Sequence, residues 1–122
     1  MSATTSSRRR VLIVEDDAMV GIYLEDLLLD LGCEVLGPIA TAQEAQSFAE
    51  FGEFEFALLD VNLDEGTSFA AAEILNRRGM PFAFLTAYGP AGVREDLRMA
   101  PTLSKPVIVR MLKQVLGAAG LI

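Results

Sequence analysis

Histidine is absent from this chain of 122 residues, and cysteine occurs once, as Cys33. The absence of histidine excludes a histidine general base and a histidine metal ligand from any mechanism. A single cysteine cannot form an intrachain disulfide, which is typical of proteins in a reducing compartment. We therefore interpret Cys33 as a small core residue and expect the protein to be cytoplasmic.

Positive charge and long apolar runs are also scarce. The chain has 10 basic and 17 acidic residues, a net charge of -7. This balance disfavours nucleic acid as a partner, because nucleic-acid binding needs a basic surface, and it favours a site that attracts a cation. No run approaches the ~18 continuous apolar residues of a membrane span, so we expect no membrane partner.

The amino terminus imitates a secretion signal without completing one. Small polar residues and Arg8–Arg10 precede an apolar run that ends at Val14, where Glu15 interrupts it. The apolar region of a signal needs about 7 to 15 residues, so we interpret the arginines as solvated charge, with a functional basic patch as the alternative. We predict a disordered tail over residues 1–9, one folded domain over residues 10–120, and no output domain.

Short apolar runs alternate with helical patterns along the rest of the chain. Runs this short, without polar alternation, are typical of strands buried on both faces. The five predicted strands are Val11–Val14, Val35–Ile39, Phe56–Leu59, Phe82–Leu85 and, more weakly, Thr102–Leu103. The predicted helices are Met19–Leu31, Thr41 to about Phe51, Thr67 or Ser68 to about Gly79, and Val107–Leu116, with one or two turns between Tyr88 and Pro101.

Strands that alternate with helices predict a doubly wound α/β fold, with parallel strands joined by right-handed crossovers. Ligands of such sheets bind beyond the carboxyl ends of the strands. Ile22 and Leu29 lie beside the apolar stripe of the first helix. We interpret these two residues as additional core contacts, with a partner or dimer face as the alternative.

Four of the predicted strands are followed by polar side chains. Because the carboxyl ends of parallel strands meet at one edge of a sheet, we expect these side chains to lie together. They are Glu15, Asp16 and Asp17 after the first strand, Asp60 after the third, Thr86 after the fourth and Lys105 after the fifth.

Each of these residues also has a purely structural interpretation. Asp16 or Asp17 is explained equally well as the cap of the next helix, since Asp is a favoured N-cap. Asp60 alone is compatible with an ordinary loop acid. Thr86 and Lys105 alone are better explained as a β-branched strand end and a solvated lysine. The functional interpretation therefore depends on all of them occurring together.

Electrostatics favours a shared role for the acids. Two carboxylates about 4 Å apart repel each other by roughly 4 kcal/mol at an effective dielectric near 20. A hard divalent ion with oxygen ligands relieves this repulsion, and Mg²⁺ suits a site with few carboxylates and several waters. Lys105 can balance the remaining charge. An ionised Asp beside such a metal can attack a phosphoryl group.

The motifs "VLIVEDD", "LLDVN", "FLTAY" and "SKP" occur in an order and at spacings that resemble a bacterial response-regulator receiver domain. The resemblance covers Arg10 to about Gly117. It extends to a stand-alone, single-domain group with a "Phe-x-Thr-Gly/Ala-Tyr" signature, known mainly from alphaproteobacteria. It implies a flavodoxin-like fold with five parallel strands in the order 2-1-3-4-5 and five helices, of which the fourth is expected to be short.

The resemblance also implies a phosphoacceptor site. Asp60, expected to be rigid and exposed, would take a phosphoryl group from the phosphohistidine of a sensor kinase or a phosphotransfer protein. Asp16 and Asp60 would bind Mg²⁺ directly, Glu15 would act largely through a bound water, and Asn62 would offer its backbone carbonyl to the metal.

Two further residues would respond to the phosphoryl group. Thr86 would move its hydroxyl onto it and signal its arrival. Lys105 would contact the phosphate, and its bond to Pro106 is expected to be cis. The aromatic residue usual three positions before the lysine is replaced here by Thr102. Tyr88 is our hypothesis for the switch residue that takes its place.

The loop "NLDEGTSF" also departs from the family pattern, so we expect it to be differently shaped. The implied protein is a regulatory phosphoacceptor that catalyses only its own phosphorylation and dephosphorylation. It would be a monomer or weak dimer that signals to another protein, or a phosphate sink or shuttle.

Three other classes are less well supported. A dehalogenase-type phosphatase needs a second acid where Asn62 stands. A flavodoxin-like cofactor binder needs a loop that cradles phosphate after the first strand. In this sequence three acidic residues occupy that position, and they would repel a phosphate. A pseudo-receiver, which binds partners without phosphate, lacks the acceptor, a member of the acid pair or the lysine. This sequence has all of these residues.

Overall fold

The computed structural model describes residues 9–122, so the predicted tail lies almost wholly outside the described residues. The strands are β1 (Arg10–Val14), β2 (Glu34–Ile39), β3 (Phe56–Asp60), β4 (Asn62–Leu63), β5 (Gly66–Thr67), β6 (Phe82–Thr86) and β7 (Thr102–Ser104). The α-helices are α1 (Ala18–Asp30), α2 (Ala42–Phe51), α3 (Phe69–Arg78) and α4 (Val109–Ala118). None of these helices is long and apolar enough to cross a membrane.

Five strands form one sheet in the order β2-β1-β3-β6-β7, and all of its neighbours are parallel. Since β6 and β7 are its fourth and fifth strands, the expected order 2-1-3-4-5 is confirmed. The central strand β3 pairs Leu59 with Val14 of β1 and with Phe84 of β6. This pairing brings the carboxyl ends of β1, β3 and β6 to one edge.

The core has two layers because successive side chains of the central strands point to opposite faces of the sheet. In β3, Ala57 and Leu59 pack with α2 and α3, whereas Phe56 and Leu58 pack with α1 and α4. Cys33 is buried in the second layer, as expected. Ile22 and Leu29 are exposed, so their interpretation as core contacts was wrong.

The prediction of strands buried on both faces fails for β2. Leu36 is half-buried, and Gly37 and Pro38 are exposed. The reason is that β2 lies at the edge of the sheet, next to β1 alone. An apolar run does not report where a strand lies in the sheet order.

The starts of α2 and α4 are explained by different local contacts. Thr41 caps α2, its Oγ1 accepting a hydrogen bond from the Glu44 amide at 3.1 Å, as the capping-box pattern predicts. The last helix begins at Val109 rather than at the predicted Val107. The carbonyl of Val107 accepts a hydrogen bond from the Tyr23 hydroxyl at 2.7 Å, which fixes this residue before the helix starts.

The expected fourth helix is not an α-helix. Within residues 9–122 there are four α-helices rather than five, and the connection from β6 to β7 holds two 3₁₀ turns, Gly89–Gly92 and Glu95–Leu97. Gly89 has a φ of 63°, and Pro90 and Gly92 follow it. Glycine and proline are the poorest helix formers, so this segment stays short.

Candidate metal and phosphoryl-acceptor site

Three acidic side chains from two adjacent strands converge at the carboxyl edge of the sheet. One carboxylate oxygen each of Glu15, Asp16 and Asp60 lies within 4.8 Å of the others. Glu15 and Asp16 follow β1 directly, and Asp60 is the last residue of β3. The parallel pairing of β1 with β3 therefore builds the acidic cluster that the sequence predicts.

Lys105 lies across this cluster. Its Nζ is 2.9 Å from Oδ2 of Asp60 and 3.1 Å from Oε1 of Glu15. The backbone places it there, because the Lys105 amide donates to the Thr86 carbonyl at 3.2 Å where β7 leaves the sheet. The Lys105–Pro106 bond is cis, as expected.

The electrostatics of Lys105 depend on these two acids. Burial by itself lowers the pKa of Lys105, but its hydrogen bonds with Asp60 and Glu15 and their charges outweigh that effect and raise the pKa above its usual value. Lys105 is therefore a permanent cation at neutral pH. It offsets one of the negative charges that the strand ends bring together.

Glu15 is the most buried acid of the site, with 2 % of its surface exposed. Its Oε2 accepts a hydrogen bond from the Asp17 amide at 3.1 Å, while the buried Oε1 is paired with the Lys105 ammonium at 3.1 Å. Burial, followed by a hydrogen bond with Asp60, raises the pKa of Glu15 to about 7. Near neutral pH this carboxyl group is therefore about half protonated.

The two neighbouring aspartates after β1 have different roles. Asp17 Oδ1 accepts hydrogen bonds from the amides of Met19 at 2.9 Å and Val20 at 3.2 Å, so Asp17 is the N-cap of α1. Asp16 is half-buried in the acidic cluster. The structure thus assigns the capping role, which the sequence left open, to Asp17.

Asp60 is more enclosed than predicted. Only 6 % of its surface is exposed, because it ends the central strand of the sheet and Lys105 lies against it. The expectation of an exposed Asp60 was therefore wrong.

Thr86 and Tyr88 face different surroundings. Thr86 is buried at the end of β6, and its Oγ1 accepts a hydrogen bond from the Tyr88 amide at 3.0 Å. Within residues 9–122, no hydrogen bond joins the Thr86 hydroxyl to Asp60 or Lys105. The Tyr88 side chain is 73 % exposed.

A small hairpin follows Asp60, and the sequence did not predict it. Strands β4 and β5 are antiparallel and pair Asn62 with Thr67. Asn62 has an exposed side chain and lies two residues after Asp60. In the turn of the hairpin, a hydrogen bond with Asp16 and the charge of Asp16 raise the pKa of Asp64. Asp64 is thus a fourth acid near the cluster that sequence reasoning missed.

Solved structures that resemble this chain include receiver domains. The chain is 34 % identical to SdrG from Sphingomonas melonis Fr1, with a TM-score of 0.81 over 98 % of each chain. It is 26 % identical to the receiver domain of the sensor histidine kinase PA1611 from Pseudomonas aeruginosa PAO1, with a TM-score of 0.79 over 93 % of this chain and 98 % of that one. The chain is a response-regulator receiver domain.

A curated relative agrees with this assignment. The receiver domain is 33 % identical over 97 residues to the transcriptional regulatory protein PdtaR from Mycobacterium tuberculosis. That match covers 79 % of this chain and 47 % of PdtaR, so the chain spans about half the length of this relative. No family model matches the chain.

The acidic cluster of the receiver domain fits a hard divalent cation. Every donor in it is a carboxylate oxygen, and among the described residues the buried Glu15 Oε1 has no partner other than the Lys105 ammonium. Hard cations such as Mg²⁺ prefer oxygen ligands and bind through one or two carboxylates together with waters. Glu15, Asp16 and Asp60 are the residues that could hold the ion.

Proposed function

We propose that this receiver domain accepts a phosphoryl group from a phosphohistidine onto Asp60, and that Mg²⁺ assists the transfer. The observation that carries the proposal is the position of Lys105, whose Nζ bridges Asp60 and Glu15 inside the acidic cluster. A lysine in this place can balance the negative charge on the oxygens of a phosphoryl group transferred to the aspartate. The donor would be a sensor histidine kinase or a histidine phosphotransfer protein.

Asp60 would be the nucleophile of the reaction. As the bond from its carboxylate oxygen to phosphorus forms, the bond from phosphorus to the imidazole nitrogen of the donor breaks. Lys105, already 2.9 Å from Oδ2 of Asp60, would pair with the phosphoryl oxygens as their charge approaches the site. The buried position of Asp60 at the end of a central strand keeps the acceptor fixed during the transfer.

The metal would be held by Asp16 and Asp60, by Glu15 largely through a water, and by the backbone carbonyl of Asn62. When bound, it supplies charge neutralisation between the carboxylates and the transferring oxygens. The solved PA1611 receiver domain has a magnesium ion coordinated in its active-site cleft, which supports this choice of ion.

Signalling would begin at Thr86. To reach a phosphoryl group on Asp60, the Thr86 hydroxyl must give up the hydrogen bond that it now accepts from the Tyr88 amide. The backbone at Tyr88 would change with it, and the exposed Tyr88 ring would present that change to a downstream protein. Whether the phosphorylated domain carries the signal to a target or serves as a phosphate sink depends on that partner.

Labelling with acetyl phosphate tests the function. We expect intact mass spectrometry to show a Mg²⁺-dependent gain of one phosphoryl group in the wild type and none in Asp60→Asn, which keeps the shape of the acceptor but not its charge. Full labelling of Asp60→Asn would refute Asp60 as the acceptor. If acetyl phosphate and a panel of phosphorylated histidine donors all failed, a pseudo-receiver that binds partners without phosphate would be the better description.

A further inference from the structure

Gly92 ends the first 3₁₀ turn after β6 and lies directly against the Thr86 hydroxyl. A Cβ atom added to Gly92 would lie 2.8 Å from Thr86 Oγ1 and 3.3 Å from the Tyr88 Cβ. A carbon atom does not approach an oxygen so closely without a displacement. The φ of Gly92 is not positive, so the backbone conformation does not require glycine here. Glycine is favoured because a side chain would not fit.

The turn that carries Gly92 cannot easily withdraw from Thr86, because the residues after it are anchored. Val93 and Leu97 are buried in the core layer of α2 and α3. The Arg94 guanidinium pairs with Glu73 of α3 and with Asp96, and it lies over the Phe69 ring at 5.7 Å from the ring centre. Moving the turn outward would disturb all of these contacts.

The Thr86 side chain is the part that can give way. A threonine side chain occupies three staggered rotamers, and they distribute Oγ1, Cγ2 and the Cβ hydrogen over the same three positions. Only one of the three rotamers points the Cβ hydrogen, rather than Oγ1 or Cγ2, towards Gly92. In that rotamer Oγ1 has left the position in which it accepts from the Tyr88 amide.

We propose that Gly92 is a positioning residue for the phosphorylation response, an inference that rests on the proposed function of Thr86. Its missing side chain creates the resting position of the Thr86 hydroxyl, on the Tyr88 amide and away from the phosphoryl group. Filling this space with a methyl group removes the resting position. The Gly92→Ala domain therefore takes up the released Thr86 arrangement without any phosphoryl group.

Nuclear magnetic resonance of the unphosphorylated domain tests this inference. In Gly92→Ala we expect a different Thr86 χ1 from scalar couplings and about tenfold faster hydrogen exchange of the Tyr88 amide, since one hydrogen bond is lost. Gly117→Ala in α4 is the matched control, because a Cβ there has no atom within 4 Å. An unchanged Thr86 rotamer with a protected Tyr88 amide in Gly92→Ala would overturn the proposal.

A double-mutant cycle decides the matter even if Gly92→Ala folds poorly. We expect Gly92→Ala to lower the denaturation midpoint of the wild type but to have little effect in a Thr86→Ala background, where the clashing oxygen is gone. Equal destabilisation in both backgrounds would overturn the proposal. Failure of phosphoryl labelling in the wild type is a separate result, because it would refute the proposed function while the rotamer measurement still reports on Gly92.

Discussion

Lowering the pH from 8 to 6 is expected to weaken Mg²⁺ binding by this receiver domain about tenfold. The reason is the buried carboxyl group of Glu15, whose pKa in the folded domain is about 7. With that pKa, about nine-tenths of Glu15 is ionised at pH 8 and about one-tenth at pH 6. Whether Glu15 meets the ion directly or through a water, its ionised form is the one that attracts it. The tenfold difference corresponds to about 1.4 kcal/mol.

Isothermal titration calorimetry with MgCl₂ measures this effect. Run at pH 6 and pH 8 in buffers of different ionisation enthalpy, it gives both the dissociation constant and the number of protons released. We expect release of about 0.9 proton at pH 6 and about 0.1 at pH 8. Glu15→Gln is the control, because its side chain has no proton to lose, and its affinity should hardly change with pH. Equal wild-type affinities at both pH values, without proton release, would refute the reasoning.

The same group makes the stability of the metal-free domain fall as the pH rises. The fold raises the pKa of Glu15 from its ordinary value of 4.5 to about 7. Between these values the folded state binds more protons than the unfolded state, so the free energy of unfolding decreases with rising pH, by up to about 3 kcal/mol. Urea denaturation without Mg²⁺ at pH 5 and pH 8 measures this loss, which Glu15→Gln should reduce.

Three further substitutions each test the role of one residue. Thr86→Ala should still be labelled by acetyl phosphate but lose most of the amide shift changes that labelling causes in the wild type, and a native-like set of shifts would contradict its signalling role. Tyr88→Ala should also keep labelling and lose the conformational response, and an unchanged response would exclude Tyr88 as the switch. Asp17→Ala should lower the free energy of unfolding by about 1 kcal/mol, the usual cost of an N-cap, and a loss of labelling at unchanged stability would instead place Asp17 in the reaction site.

The elements that could be predicted from the sequence are those whose signal is local. The apolar runs of β1, β3 and β6 reflect burial on both faces, and the cap at Thr41 needs only residues of its own turn. That Glu15, Asp16, Asp60 and Lys105 lie at one edge was also predictable, because parallel strands end at the same edge of a sheet. Their close approach depends on β1 and β3 being neighbours, which the strand pattern alone does not fix.

What the sequence could not provide depends on neighbours distant in the chain. The exposure of β2 follows from its edge position, and the burial of Asp60 follows from Lys105 lying against it. The contact of Gly92 with Thr86 is invisible in a sequence where Gly92 looks like an ordinary turn residue. Asp64 had a weak signal, since the turn "DEG" lies soon after the acceptor, but its approach to Asp16 needs the β4–β5 hairpin.

The anchoring of the connection between β6 and β7 has a consequence for recognition. From Val93 onward the connection is fixed to α3 through Arg94 and through buried apolar side chains, whereas residues 87–91 are exposed or half-exposed. A change that starts at Thr86 therefore reaches the surface over a few residues only. If Thr86 starts the response as proposed, a partner would distinguish the two states at this short surface around Tyr88. The part of its interface that discriminates between them would then be small, however large the whole interface is.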